Sequence, residues 1–308
     1  MILYNAGLFT SNFDQAGRVY AQLTPEERAM RDGNRYYLES YHYCGKESVV
    51  KKIKREKRKV FLDSGAFSAF TQNATIDLGR YCDYCHRNAD IIEIVSVLDL
   101  IDFDDPKAAA KGSYKNLMEM KRRGVEALPC YHQGEPPEVL EWYVQNYSHI
   151  TLGGLVGSST QKLMLWLDEL WGTYLTNADG TPKIKIHGFG ITSLPIMLRY
   201  PWYSVDSSTW VQWSANGMIL LPERGEQLNI SARSSSRKLK DQHIDSLAPT
   251  ATAALEAEIK RHNGDPQRLR DFYGSRWAWN CWAFPKYVEM RGGGVSSFKP
   301  SYDRLFGL

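Results

Sequence analysis

The chemistry open to this chain is concentrated where short apolar runs end on polar residues: Asp63, Asp99, Gln133, His187 and Asp206, joined by the backbone of Gly153 and Gly154. Three carboxylates converging on one cavity raise one another's pKa, which is costly unless the chemistry uses them. One acid can serve as nucleophile and another as proton shuttle. An amide side chain and open glycine N–H groups beside them suit a planar ligand rich in hydrogen-bonding groups. An Asp at the end of a strand also commonly caps the next helix, an ordinary structural role that fits Asp99 best.

The elements that must position these residues are legible as β-branched apolar runs. They are Ile2 to Asn5, Val60 to Asp63, Ile91 to Asp99, Ala127 to Gln133, Ile150 to Gly153, Lys183 to Gly190, Tyr203 to Asp206 and Met218 to Leu221. Helical spacing fills several of the gaps: Pro136-Pro137 opens one helix, and Thr160 leads another with Leu163, Leu167, Leu170 and Trp171 on one stripe. Eight strand–helix units of this size predict an α/β fold, a closed (β/α)8 TIM barrel whose reacting groups gather at the C-terminal strand ends. The alternative, an open doubly wound sheet, usually carries a Gly-rich phosphate loop after an early strand, and neither G-x-G-x-x-G nor a P-loop is present.

The 308 residues are read as one domain, with a barrel core over about 1–222 and a helical, aromatic-rich elaboration over about 223–308. A hydrophobic share of 43% with 24% charged residues excludes disorder and collagen. The net charge of +3 demands no polyanionic partner, so any nucleic-acid surface must come from local clusters. Two exist: Lys51 to Lys59, expected to be a solvated helix face leading into a strand, and the basic loop holding Arg233, Arg237, Lys238 and Lys240. Arg276 to Phe284 is the most aromatic stretch and reads as a helix packed on the barrel rather than a base-stacking platform. Five scattered cysteines, no signal-like N-terminus and no long apolar run lead to the expectation of a reducing cytoplasm and no membrane span.

Asp63-Ser64-Gly65-Ala66-Phe67-Ser68 resembles the Asp-Ser-Gly-Gly-Phe/Tyr-Gln signature of tRNA-guanine transglycosylases. Gly153-Gly154-Leu155-Val156-Gly157 resembles that family's Gly-Gly-Leu-Ala-Val-Gly loop. His132-Gln133-Gly134, His187-Gly188-Phe189-Gly190 and Val205-Asp206-Ser207 are similar to its Val-Gln-Gly, Met-Gly-Val-Gly and Phe-Asp-Ser/Cys segments, in the same order. The resemblance covers residues 63 to about 210, roughly half of the chain.

The resemblance implies that Asp206 attacks the anomeric carbon of a guanosine nucleotide and that Asp63 moves the proton of the departing and incoming bases. It implies that Asp99 and Gln133 read the guanine edge, that Gly153, Gly154 and Leu155 supply backbone contacts, and that Phe67 stacks on the base. Ser64, His187 and Gly188 fall within the same substrate-binding motifs. Displacement in two steps by a carboxylate retains configuration and divides one hard step into two easier ones.

The departures shape the substrate. Ala66 and Ser68 replace the family's Gly and Gln, and His187 stands where the family has Met. The Cys-x-Cys-x-x-Cys…His zinc motif is missing, and Cys82-x-x-Cys85-His86 has no second pair, so no zinc or other cofactor is expected. The chain therefore looks most like the phage-encoded and genomic-island relatives that exchange guanine in DNA for a free 7-deazaguanine base. The extruded guanine would come from DNA held by the basic loops. A homodimer is carried over from the tRNA enzymes, though the insert through which they dimerise is missing. Three rivals stand beside this reading: a tRNA-guanine transglycosylase, a retaining glycoside hydrolase using Asp63 and Asp206, and a catalytically inactive nucleic-acid-binding barrel.

Overall fold

The computed structural model describes residues 1–10, 17–155, 159–191, 193–239 and 241–300. The chain forms two compact units. The first takes in Met1–Thr10, Tyr36–Asp206 and the described residues from Gly294 onward; the second takes in Ser207–Gly293 and the described part of Ser11–Arg35.

The first unit is an α/β fold built on eight parallel strands: β1 (Ile2–Ala6), β2 (Tyr37–Ser40), β3 (Val60–Asp63), β4 (Ile92–Val95), β5 (Cys130–His132), β6 (His149–Gly153), β7 (Lys185–Gly188) and β8 (Ser204–Ser207). Their order in the sheet is β4-β3-β2-β1-β8-β7-β6-β5. Beyond the outermost strands, Ser96 forms a parallel bridge with Leu128, flanked by Val97 N–H donating to Leu128 O and Leu128 N–H donating to Val95 O. Strands buried on both faces read as continuous apolar runs, as Val60-Phe61-Leu62 does. Tyr4, Leu38 and Phe61, from β1, β2 and β3, form a buried cluster against which Ile94, Leu128 and Phe189 pack.

Helices follow the strands, and several start on their own side-chain caps. Asp105 accepts from Ala108 N–H to open Pro106–Arg122, and Ser159 accepts from Lys162 N–H to open Thr160–Leu170, which buries Leu163, Leu167 and Leu170. The helix Glu47–Arg55 buries Ile53 and exposes Lys51, which pairs with Glu47, and Lys54, which pairs with Asp90, while the half-buried Lys52 lies over the Phe9 ring. The basic run is thus largely a solvated helix face, as expected, with Lys52 and Arg58 the half-buried exceptions among its basic residues. Cys82 and Cys85 are buried thiols on the helix Leu78–Arg87.

Two strand assignments differ from the sequence expectation. Met218–Leu221 (β9) is not the eighth strand of the parallel sheet; it pairs antiparallel with Glu226–Asn229 (β10). The vacant place is taken by β2, which lies inside what reads as a long first connection. Tyr37-Leu38-Glu39-Ser40 lacks an apolar run because its third residue is a fully buried glutamate. Glu39 is accommodated by Phe9 N–H (2.7 Å) and the Thr10 hydroxyl (2.7 Å), so a side chain that looks like surface sits in the interior.

In the second unit, the aromatic stretch lies on the helix Tyr273–Met290 and is buried as a packing surface. Trp277 tilts against Trp210, and Trp279 Nε1 donates to Leu220 O. The helix Pro25–Gly33 belongs to the same unit, started by a capping box between Thr24 and Glu27, and Glu27 pairs with Arg268. No helix among the described residues is long and apolar enough to cross a membrane.

Candidate active site

Parallel strands place their C-terminal residues on one rim. Asp63 ends β3, His132 ends β5, Gly153 ends β6, Gly188 ends β7 and Asp206 is the third residue of β8. Asp99 lies four residues beyond β4.

Asp63 accepts from Gly65 N–H at 3.0 Å and from the Ser96 hydroxyl at 3.5 Å. Burial, then the negative charges of Asp99 and Asp206, push its carboxyl up to about 7 against those two bonds. The three acids therefore share one electrostatic neighbourhood. Gly65, with φ at +80°, makes the sharp exit from β3 and starts the short helix Ala66–Thr71, on which Phe67 is 43% exposed.

Asp206 is buried and held on one oxygen. Its Oδ1 accepts from Gly190 N–H (3.0 Å) and from His187 Nε2 (3.2 Å), while Oδ2 takes no hydrogen bond among the described residues. Because a carboxylate only accepts, Nε2 carries the proton, and His187 Nδ1 pairs with the Ser204 hydroxyl at 2.8 Å. His187 is fully buried among Tyr4, Phe61 and Phe189, so the ring cannot swing away.

Asp99 is fully engaged. Oδ1 accepts from the Ser64 hydroxyl (3.0 Å), and Oδ2 lies 2.8 Å from His132 Nε2. Ser64 N–H donates in turn to Ser96 Oγ (2.9 Å), which ties the ends of β3 and β4 together. The other nitrogen of His132, Nδ1, lies 3.2 Å from Glu135 Oε1. Burial alone would lower the pKa of His132, but its polar neighbours Cys130, Asp99 and Glu135 outweigh burial and hold it well above the usual range. Burial pushes the Cys130 thiol up, so Cys130 is neutral and the two carboxylates are the partners that count.

Gly153 is required by close approach: a Cβ there would fall 2.5 Å from Cδ2 and 2.6 Å from Nε2 of His132. Gly154, with φ at +72°, turns the chain past the backbone of Gln133. Leu155 is buried, whereas Val156 and Gly157 of the same motif lie outside the described residues. Gly188 packs close to Ile191 and Trp202.

The structure thus brings together Asp63, Ser64, Asp99, Gly153, His187 and Asp206. Gln133 sits one residue past the strand end, exposed and with no side-chain hydrogen bond among the described residues. Sequence reasoning missed His132, Glu135, Ser96 and Ser204. A signal for His132 existed: it is two residues from Cys130, and the period of a strand puts both on one face.

Asp99, Cys130 and His132 also offer one oxygen, one sulfur and one nitrogen within 4.8 Å of one another, a set able to take a transition metal such as zinc. Of the basic loop, in the second unit, Arg233 is exposed and Arg237 pairs with Asp245 at 2.8 Å. The side chain of Lys238 and all of Lys240 lie outside the described residues. Compared with known proteins, the chain matches no protein-family model, and no curated protein matches it.

Proposed function

We propose that the protein is a DNA-guanine transglycosylase that replaces guanine in DNA with a 7-deazaguanine base. The observation that carries this reading is the pairing of two differently prepared acids. Asp206 is held on one oxygen with the other open, and Asp63 is raised to about 7 by burial and then by the charges of Asp99 and Asp206. Unlike environments for nearby carboxylates mark separate nucleophile and acid–base roles.

In the first step, Asp206 Oδ2 attacks C1′ of an extruded deoxyguanosine. The C1′–N9 bond breaks, and guanine leaves with the proton Asp63 supplies. In the second, Asp63 takes the N9 proton of the incoming base, N9 attacks C1′, and the C1′–Oδ2 bond breaks to restore Asp206. Asp99, whose partner His132 can release it to the ligand, reads the guanine edge with the Gly153-Gly154-Leu155 backbone. Phe67 offers an exposed ring for stacking. The reading includes a closed (β/α)8 barrel, supported by the Ser96–Leu128 bridge between the outermost strands.

The test is incorporation of radiolabelled guanine into DNA and into tRNA in parallel, with wild type and Asp206→Asn. Exchange into DNA alone, lost in the variant, is the expected result. Exchange into tRNA alone keeps the mechanism and replaces the substrate. No exchange into either, with nucleic acid still bound, turns the reading into that of a binding protein.

A further inference from the structure

The second unit contains a cavity of about 620 Å³ lined by Asn216, Ser231, Arg233, Ser234, Tyr273 and Arg276, among others, and no carboxylate is among its lining residues. Arg276 is 5% exposed. Its Nε donates to Ser214 O at 3.2 Å and its Nη1 to Leu269 O at 2.7 Å, so the guanidinium is anchored on backbone carbonyls near the ends of two helices. Nη2 makes no hydrogen bond among the described residues, and Arg276 has no acidic partner there. Every other described arginine as deeply buried in this unit is beside an acid: Arg31 pairs with Asp32.

Capping of helix ends accounts for Nε and Nη1 but not for the missing counter-ion. Burial, and after it the like charge of Arg233, lowers the guanidinium to about 10. Two like charges at one cavity cost stability unless an anion joins them. The other lining groups are suited to an anion's oxygens. Ser231 Oγ accepts from Arg233 N–H at 3.3 Å and keeps its own hydrogen to donate. Tyr273, 36% exposed, adds an aromatic wall.

We propose that this cavity is a phosphate seat, in which Arg276 at the floor and Arg233 at the rim grip one phosphate group and Ser231 donates to it. Nη2 of Arg276, which makes no hydrogen bond among the described residues, and the exposed guanidinium of Arg233 supply charge-assisted donors to the phosphate oxygens. The seat itself does not depend on the transglycosylase reading; only the choice of a DNA backbone phosphodiester as its natural occupant rests on that reading.

The experiment measures, on the full chain, the melting temperature against inorganic phosphate at constant ionic strength, and the binding of a short guanine-containing single-stranded oligonucleotide across a salt series. The variants are Arg233→Gln, Arg276→Lys and, as a control for net charge, Arg122→Gln, whose side chain lies on an exposed helix. Phosphate is expected to raise the melting temperature of wild type and of Arg122→Gln. Each seat variant should weaken phosphate binding by about tenfold or more. Phosphate should compete with the oligonucleotide, and the salt slope should fall by about one in the variants. Weakened phosphate binding with unchanged oligonucleotide binding supports the seat and assigns it to free phosphate or a mononucleotide. A phosphate response in Arg233→Gln equal to wild type overturns the proposal, and this variant decides if Arg276→Lys fails to fold, since Arg233 is exposed. Asp206→Asn keeps the phosphate response whether or not guanine exchange exists, which separates the two hypotheses.

Discussion

The Nε2 of His187 lies 3.2 Å from Oδ1 of Asp206, with the imidazole fully buried and its far side fixed by the Ser204 hydroxyl. That contact, with Gly190 N–H, occupies Oδ1 and leaves Oδ2 open among the described residues, the oxygen proposed as the nucleophile. His187→Phe should therefore lower guanine exchange by about 100-fold, mostly in kcat, because a misaimed nucleophile loses near-attack geometry more than binding. His187→Gln, which retains a donor near Nε2, should recover part of the loss. Equal kcat in wild type and His187→Phe would show that the imidazole does not position Asp206.

Asp63 makes a prediction about pH. Its folded-state pKa of about 7 exceeds its ordinary value of 3.8, and Glu39 is likewise raised to about 7 by burial. Between roughly pH 4 and 7 these two groups hold more protons in the folded chain than in the unfolded one, so the stability they contribute declines as pH rises through that window, whereas His149, lowered to about 4 by burial, acts in the opposite sense below about pH 6.5. Asp63→Asn should flatten the decline without abolishing it, since Glu39 remains, and should be more stable than wild type at pH 8. Chemical denaturation at pH 5 and pH 8 checks the sign: a decline as steep in the variant as in wild type contradicts it.

The same acid should appear in the rates. A kcat/KM profile for exchange is expected to bend near pH 7, and the bend should vanish from the residual activity of Asp63→Asn. A bend that survives the substitution belongs to another group.

Gly153→Ala tests the packing around His132. The added Cβ would stand 2.5 Å from the ring, forcing the imidazole off Asp99. Overpacking of this kind costs about 1–3 kcal/mol. We expect a lower melting temperature and a raised KM for guanine; a variant indistinguishable from wild type in both would mean that the ring has room to shift.

The Asp99–Cys130–His132 set gives a prediction about metal. His132 already lies between two carboxylates, Asp99 and Glu135, so both ring nitrogens have partners. Chelator treatment followed by gel filtration should leave guanine exchange unchanged, and metal analysis should find less than one equivalent of zinc. Loss of exchange restored by added zinc would assign these three residues as ligands instead.

Much of the first unit was readable before folding. Val60 to Asp63 ends as a strand where the apolar run ends, and the acids at Asp63 and Asp206 were legible because the residues at the C-terminal end of a parallel strand have a fixed place on the rim. Tyr37–Ser40 was not legible, since its buried Glu39 breaks the apolar run and is stabilised by Phe9 and Thr10, some 30 residues away in sequence. Met218–Leu221 has the composition of a sheet strand, yet its partner is the hairpin strand Glu226–Asn229, a choice that local composition does not encode.

Run length and alternation are local properties, so spacing along the chain marks several of the strand ends, Asp63 and Gly153 among them, and the residue types they carry. Which of those groups face each other is fixed only by the packing of the elements. It paired Asp99 with His132 rather than leaving it open, left Gln133 exposed, gave Asp206 a histidine, and put Arg276 and Arg233 on one cavity with no acidic partner for Arg276 among the described residues. Those relationships join residues from different elements, and through-space distance, unlike spacing along the chain, is fixed only when the elements pack.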